Sequence, residues 1–188
     1  MRNYPIMLLV TVLFAWSGAV AGDLENKAGD CCARGKQADT ATTPAKGGDG
    51  ESSCKICKMD RKKFAHSRML IEFDDDTSTA TCSLRCAAVE LINSIDRTPR
   101  SIWVGDYATR QLIDAERAVW VIGGTKQGVM TRNPKWAFAG KEAAEAFVRE
   151  NGSRLATFDE AMTAANGDLY QDTKMIRDKR KMMKKQLR

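Results

Sequence analysis

The pattern of hydrophobic and polar positions divides the chain into a long polar segment and a region of short, regularly spaced elements. Residues 68–73 (RMLIEF) are β-rich and alternate, which predicts a strand. Asp74, Asp75 and Asp76 predict a turn, and 77–82 (TSTATC) a second strand. Ser83 suits a helix N-cap. In 84–95 (LRCAAVELINSI) the period lengthens, placing Leu84, Ala87, Ala88, Leu91 and Ile95 on one stripe, with Pro99 as the stop. A third strand is expected at 102–104 (IWV). The same succession then recurs. Strands are expected at 116–122 (ERAVWVI) and 136–138 (WAF), and an amphipathic helix at 141–150 (KEAAEAFVRE) ended by Asn151-Gly152. A last strand falls at 154–158 (RLATF). The predicted class is α+β, two tandem β-β-α-β units. A basic C-terminal helix covers 159–188, interrupted near Asn166-Gly167.

The N-terminal third reads differently. Arg2, the apolar run 6–16 (IMLLVTVLFAW) and the Ala19-Val20-Ala21 site form a signal peptide over 1–21. The run falls short of the roughly 20 residues of a membrane span, so an uncleaved N-terminal anchor is the weaker reading. No cysteine directly follows the cut, so the usual lipoprotein signal is missing. Residues 22–52 are rich in Gly, Ala, Thr, Lys and Asp and have no large apolar residue after Leu24, the composition of a flexible linker. The folded region is expected over 53–158. Export to the periplasm places all six cysteines where disulfides are tolerated.

The candidate chemistry lies in Cys54-Lys55-Ile56-Cys57-Lys58-Met59, answered by Cys82-Ser83-Leu84-Arg85-Cys86. Two sulfurs at CxxC spacing reach one ion from a tight turn. Cys86 stands one helical turn after Cys82, on nearly the same face. Thiolates and thioethers select Cu(I), Zn or Fe–S. Four thiolates alone resemble structural zinc, and Met59 tilts the choice towards Cu(I). Met130, on a loop between two strands, is placed to close over a site. The rival reading of the cysteines is paired disulfides. Cys31 and Cys32, in the linker, read as exposed thiols or a vicinal disulfide, with auxiliary metal capture less favoured. The single histidine, His66, excludes most His-rich metal chemistry and reads as a surface hydrogen-bonding residue. Gly123 to Gly128 fails as a phosphate loop, because Val129 and Met130 stand where Lys and Ser or Thr are needed.

The net charge of +6 is uneven, and 174–188 carries Asp178 as its only acid. A solvated helix end is the plain reading. Peripheral contact with an anionic membrane surface or an acidic partner is the sharper one. Nucleic acid is not indicated, for want of a binding motif.

At these residues the chain resembles the NosL family, accessory copper-binding proteins of nitrous oxide reductase assembly. The family motif Cys-x-x-Cys-Gly-Met reads CKICKM here, with Lys58 in the place of Gly, and VMTRNPKWAF matches its second Met followed by an Ala-Phe strand. The resemblance covers about residues 54–158. It implies one Cu(I), with Met59 and Met130 as ligand candidates beside Cys57 and Cys82. It implies a copper-accepting enzyme, such as nitrous oxide reductase, as partner, and no catalysis. The second cysteine pair also resembles TRASH-like modules, where CxxC is answered by Cys-Ser-x-x-Cys, which implies zinc or heavy-metal sensing or buffering as the alternative. A thioredoxin-like oxidoreductase is the third reading. It requires Cys54 as an exposed nucleophile, and no strand precedes the motif.

Overall fold

The structure is a computed structural model, and it describes residues 50–187. The expected signal peptide, nearly all of the expected linker, and Cys31 and Cys32 lie outside the described residues.

Strands β1 (Met69–Phe73) and β2 (Ser78–Thr81) form a hairpin around the Asp turn, followed by helix α1 (Leu84–Asn93) and strand β3 (Pro99–Gly105). β1 pairs antiparallel with both β2 and β3. Strands β5 (Val119–Ile122) and β6 (Lys135–Phe138), helix α2 (Lys141–Asn151) and strand β7 (Arg154–Ala156) repeat the plan, with β5 between β6 and β7. The two sheets run β2-β1-β3-β4 and β6-β5-β7, so the β-β-α-β topology is duplicated. The fold is α+β. The added edge strand β4 (Leu112–Asp114) joins the first sheet along β3 and was not anticipated.

Side-chain alternation assigns the layers. Met69, Ile71 and Phe73 of β1 face the main core, with Leu84, Ala87 and Ala88 of α1 and with Trp120 and Ile122 of β5. Leu70 points the other way, onto Ala80 and Trp103. Val121 of β5 faces a second core, with Trp136, Phe138, Ala144 and Phe147. Helix α2 ends at Gly152, whose φ of 66° is the left-handed cap expected of Asn-Gly; its N–H donates to Val148 O.

Four expectations need correction. Helix α1 stops at Asn93, so Ile95 lies beyond it and is 90% exposed rather than on the buried stripe. Pro99 opens β3 instead of ending the helix. Helix α3 (Phe158–Gln186) runs unbroken through Asn166 and Gly167. Its start is fixed by a capping box, in which Thr157 Oγ1 accepts from Glu160 N and Glu160 Oε2 accepts from Thr157 N. Ala161 and Ala165 bury one face of it in the main core, and Asp168 and Asp172 bind the loop beside it. These contacts outweigh the ~1 kcal/mol that a mid-helix glycine costs. Thr157 and Phe158, expected in the last strand, serve this helix instead.

Candidate metal centre

The CxxC segment forms a knuckle held by its own backbone. Cys54 N donates to Met59 O at 2.8 Å, and Lys58 N donates to Cys54 O at 2.9 Å. Ser53 and Asp60 form a bridge at its base. Closing so tight a turn puts Lys58 at φ 65°, the left-handed region that glycine tolerates best.

The knuckle is fastened to the first β-β-α-β unit at several points. Lys55 N donates to Ala80 O of β2. Lys55 Nζ pairs with Glu90 of α1 at 2.8 Å, and Thr79 Oγ1 donates to the same carboxylate at 2.9 Å. Glu90 is buried. Desolvation alone would raise its carboxyl pKa, but the hydrogen bonds from Lys55 and Thr79 outweigh burial and the net shift is downward. Arg61, 1% exposed, donates from Nε to Thr81 O and from Nη2 to Met69 O, pinning the strand ends beside Cys82. Ser67 Oγ donates to Cys82 O at 2.9 Å. Nothing in the sequence marks Arg61 or Glu90 as a structural anchor. Each carries a charge that looks ordinary until the fold buries it.

This scaffold brings Cys54, Cys57, Cys82 and Cys86 together. Their four Sγ atoms all lie within 4.8 Å of one another. Cys57 Sγ is 3.4 Å from Cys82 Sγ, and Cys82 Sγ is 3.8 Å from Cys86 Sγ. These separations are far beyond the ~2.05 Å of a disulfide bond, and all four are free thiols. Four sulfurs at ~2.3 Å from one tetrahedral ion stand about 3.8 Å apart, so the cluster is close to the spacing a single soft ion requires. Ser83 takes the N-cap of α1 without a side-chain cap bond, leaving the helix start to position Cys86 through the backbone.

Cys54, Cys82 and Cys86 are fully buried, and Cys57 is half-buried. Their protons are shared. Cys54 is drawn below the ordinary thiol range by hydrogen bonds from Cys57, then Cys82 and Cys86. Contact with Cys54 opposes ionisation of Cys57, but the hydrogen bonds from Cys82 and Cys86 bring it down to about 7. Cys82 and Cys86 are pushed up, first by Cys54 and Cys57 and then by burial. Ionisation is therefore favoured on the knuckle side of the cluster and opposed on the helix side.

Met59 and Met130 are both half-buried and pack against the thiol cluster, with Val129, Ile56 and Phe64 completing its apolar surround. Met130 sits in the β5–β6 loop at φ 62°, a strained position for a non-glycine residue. His66 is not part of the cluster. It lies among Phe64, Tyr107 and Trp136, ring centroids 5.7–6.3 Å away, and its pKa is lowered by burial and then by Arg110. Cys54, the exposed nucleophile required of an oxidoreductase, is 0% exposed.

A cleft of about 760 Å³ opens beside the cluster, lined by Met59, Phe64, His66, the 124–132 loop and, from α3, Met175. Met175 was not singled out from the sequence, because nothing in a helical run of basic residues marks the side that meets a distant loop.

Comparison with known proteins agrees with this geometry. The family model of NosL matches residues 47–165. Among solved structures, the crystal structure of the copper chaperone NosL from Shewanella denitrificans superimposes with a TM-score of 0.51 at 22% identity, covering 63% of this chain and 96% of that one, which is a likeness of fold. No curated protein sequence matches. The chain belongs to the NosL family.

Proposed function

We propose, from this membership, that the protein is an exported Cu(I) carrier that passes copper by ligand exchange to a periplasmic copper enzyme such as nitrous oxide reductase. The observation that carries the reading is the joining of four free thiols with two half-buried thioethers in one apolar cluster. A thioether adds little to a zinc site but is a natural Cu(I) donor. Cys57 and Cys82 are the donors at 3.4 Å, with Met59 and Met130 beside them and Cys54 and Cys86 completing the thiol set. A carrier needs no turnover, only a ligand that an acceptor can displace, and the half-buried Cys57 supplies the accessible edge. The exposed basic end of α3 offers peripheral contact to an anionic membrane surface or an acidic partner. No helix among the described residues is long and apolar enough to cross a membrane.

A second reading has its own observation. Four sulfurs near tetrahedral spacing also suit zinc, as in a TRASH-like sensing or buffering module. The two separate in a transfer experiment. The copper-loaded protein is mixed anaerobically with an apo copper enzyme, and the acceptor's activity and the metal on each protein are followed. Copper passing to the acceptor, and failing to do so after Cys57→Ser with Cys82→Ser, supports the carrier. Copper that stays in place in the presence of excess acceptor supports a buffer.

A further inference from the structure

The methionines of the described residues fall into three groups. Met69 is fully buried in β1, and Met162 packs against the same core. Met182 and Met183 are 61% and 62% exposed near the end of α3. The other three, Met59, Met130 and Met175, come from the knuckle, the β5–β6 loop and α3, and all line the same cleft. Two of them also cover the thiol cluster, so the inner wall of the cleft and the lid of the thiol centre are the same side chains.

Helix α3 is held in place on both sides. Asp172, 2% exposed, accepts from Arg132 N, and Asp168 accepts from Asn133 Nδ2 and Lys135 Nζ, fixing the helix to the loop that carries Met130. Arg85 Nη2 donates to Thr173 Oγ1, fixing it to α1, which carries Cys86. Met175 follows Asp172 by three residues and Asp168 by seven, on the same helix face. Its position relative to the loop is therefore built in.

We propose that Met175 is a further soft donor of the metal path: with Met59 and Met130 it receives Cu(I) in the cleft, and it is left behind as the ion moves to Cys57. This rests on the Cu(I) reading above. A thioether is neutral and soft, so it can hold Cu(I) briefly without trapping it. Three of the four thiols are fully buried, and Met59 and Met130 line the cleft on one side and pack against the thiols on the other. On arrival the thioethers displace the ligand that brought the copper, which returns to solvent; in the transfer step a copper–thioether bond then breaks as a copper–thiolate bond forms at Cys57, whose proton leaves to solvent. Copper remains Cu(I) throughout, so no oxidant or reductant is needed. Lys63, Lys126 and Lys179 line the same cleft and favour copper arriving as an anionic Cu(I) complex.

The test uses the full chain, reduced, with Cu(I) supplied as an anionic sulfonated chelate. Uptake is followed by stopped-flow absorbance, and the final affinity by competition with the same chelate. Met175→Leu keeps the volume and is expected to slow uptake about tenfold while changing the affinity less than twofold. Met175→His, which restores a donor, is expected to recover most of the rate. A purely structural role would leave both variants alike. In protein carrying [methyl-¹³C]methionine, a second equivalent of Ag(I), added after the thiol centre is filled, should shift the methyl signals of Met59, Met130 and Met175 but not that of Met69. Uptake by Met175→Leu at the parent rate, with its methyl signal unmoved in the parent, would overturn the proposal and leave the carrier reading standing. Failure of the parent itself to take up Cu(I) would overturn both.

Discussion

Replacing Lys58 by glycine should stabilise the protein, contrary to the usual cost of adding a glycine. Lys58 has a φ of 65°, imposed by the paired bonds from Cys54 N to Met59 O and from Lys58 N to Cys54 O. A side chain with a Cβ loses roughly 1–2 kcal/mol in that conformation. Glycine escapes this but gives back about 0.5–1 kcal/mol through the greater freedom of its unfolded chain. The balance is a gain of about 0.5–1 kcal/mol, or a rise in Tm of roughly 1–4 °C for a chain of this size. Lys58→Ala is the control, since it removes the ammonium and the long stem but keeps the Cβ. Both variants would be unfolded by heat and by urea as reduced, metal-free protein. The reasoning holds if glycine exceeds alanine in stability by at least about 0.5 kcal/mol. It is refuted if the two are equally stable, because the gain would then come from charge or from nothing. The family motif has glycine at this position, and the left-handed backbone is the physical reason one fits there.

Three other outcomes follow from the same contacts. Cys57, half-buried and with its thiol near 7, should be alkylated first in metal-free protein, at a rate that rises as pH climbs through about 7 and levels off above it; peptide mass spectrometry after brief iodoacetamide pulses would show this, and equal labelling of Cys82 would contradict it. Asp168→Ala leaves the Lys135 side chain, 3% exposed, without its carboxylate, and should cost about 2–3 kcal/mol in urea unfolding, somewhat under the range for fully buried pairs because Asp168 itself is 31% exposed. Gly105→Ala puts a Cβ 2.0 Å from Ala65 O, a backbone atom that cannot turn aside; a loss of about 2 kcal/mol or more in Tm-derived stability is expected, and a neutral result would mean the 64–67 segment is looser than its hydrogen bonds indicate.

The fold was legible where elements were long enough to show a period. The alternation of 68–73 and the helical stripe from Leu84 to Leu91 located β1 and α1, and the recurrence of the plan gave the duplicated topology. β4 has three residues, all half-buried, and carries no periodic signal. Extending the stripe to Ile95 ignored the end of the helix at Asn93, and the break expected at Gly167 gave a local propensity more weight than the packing of Ala161 and Ala165. At the site, spacing alone grouped the four cysteines, because CxxC and a one-turn separation are local geometry. Bringing the two pairs within 4.8 Å depends on Lys55, Glu90 and Arg61, whose roles exist only after folding. Met175 was illegible for the same reason, since its cleft is assembled from elements far apart in sequence.

The central claim is that this thiol and thioether cluster selects Cu(I) over zinc. The most direct measurement is competition on protein reduced and handled without oxygen: one equivalent each of Zn(II) and chelated Cu(I), followed by separation of free metal, metal analysis and X-ray absorption at the copper edge. Close to one Cu(I) per chain in an all-sulfur environment is expected, with zinc left in solution. Zinc retained in the chain against Cu(I), or copper bound through nitrogen and oxygen, would contradict it.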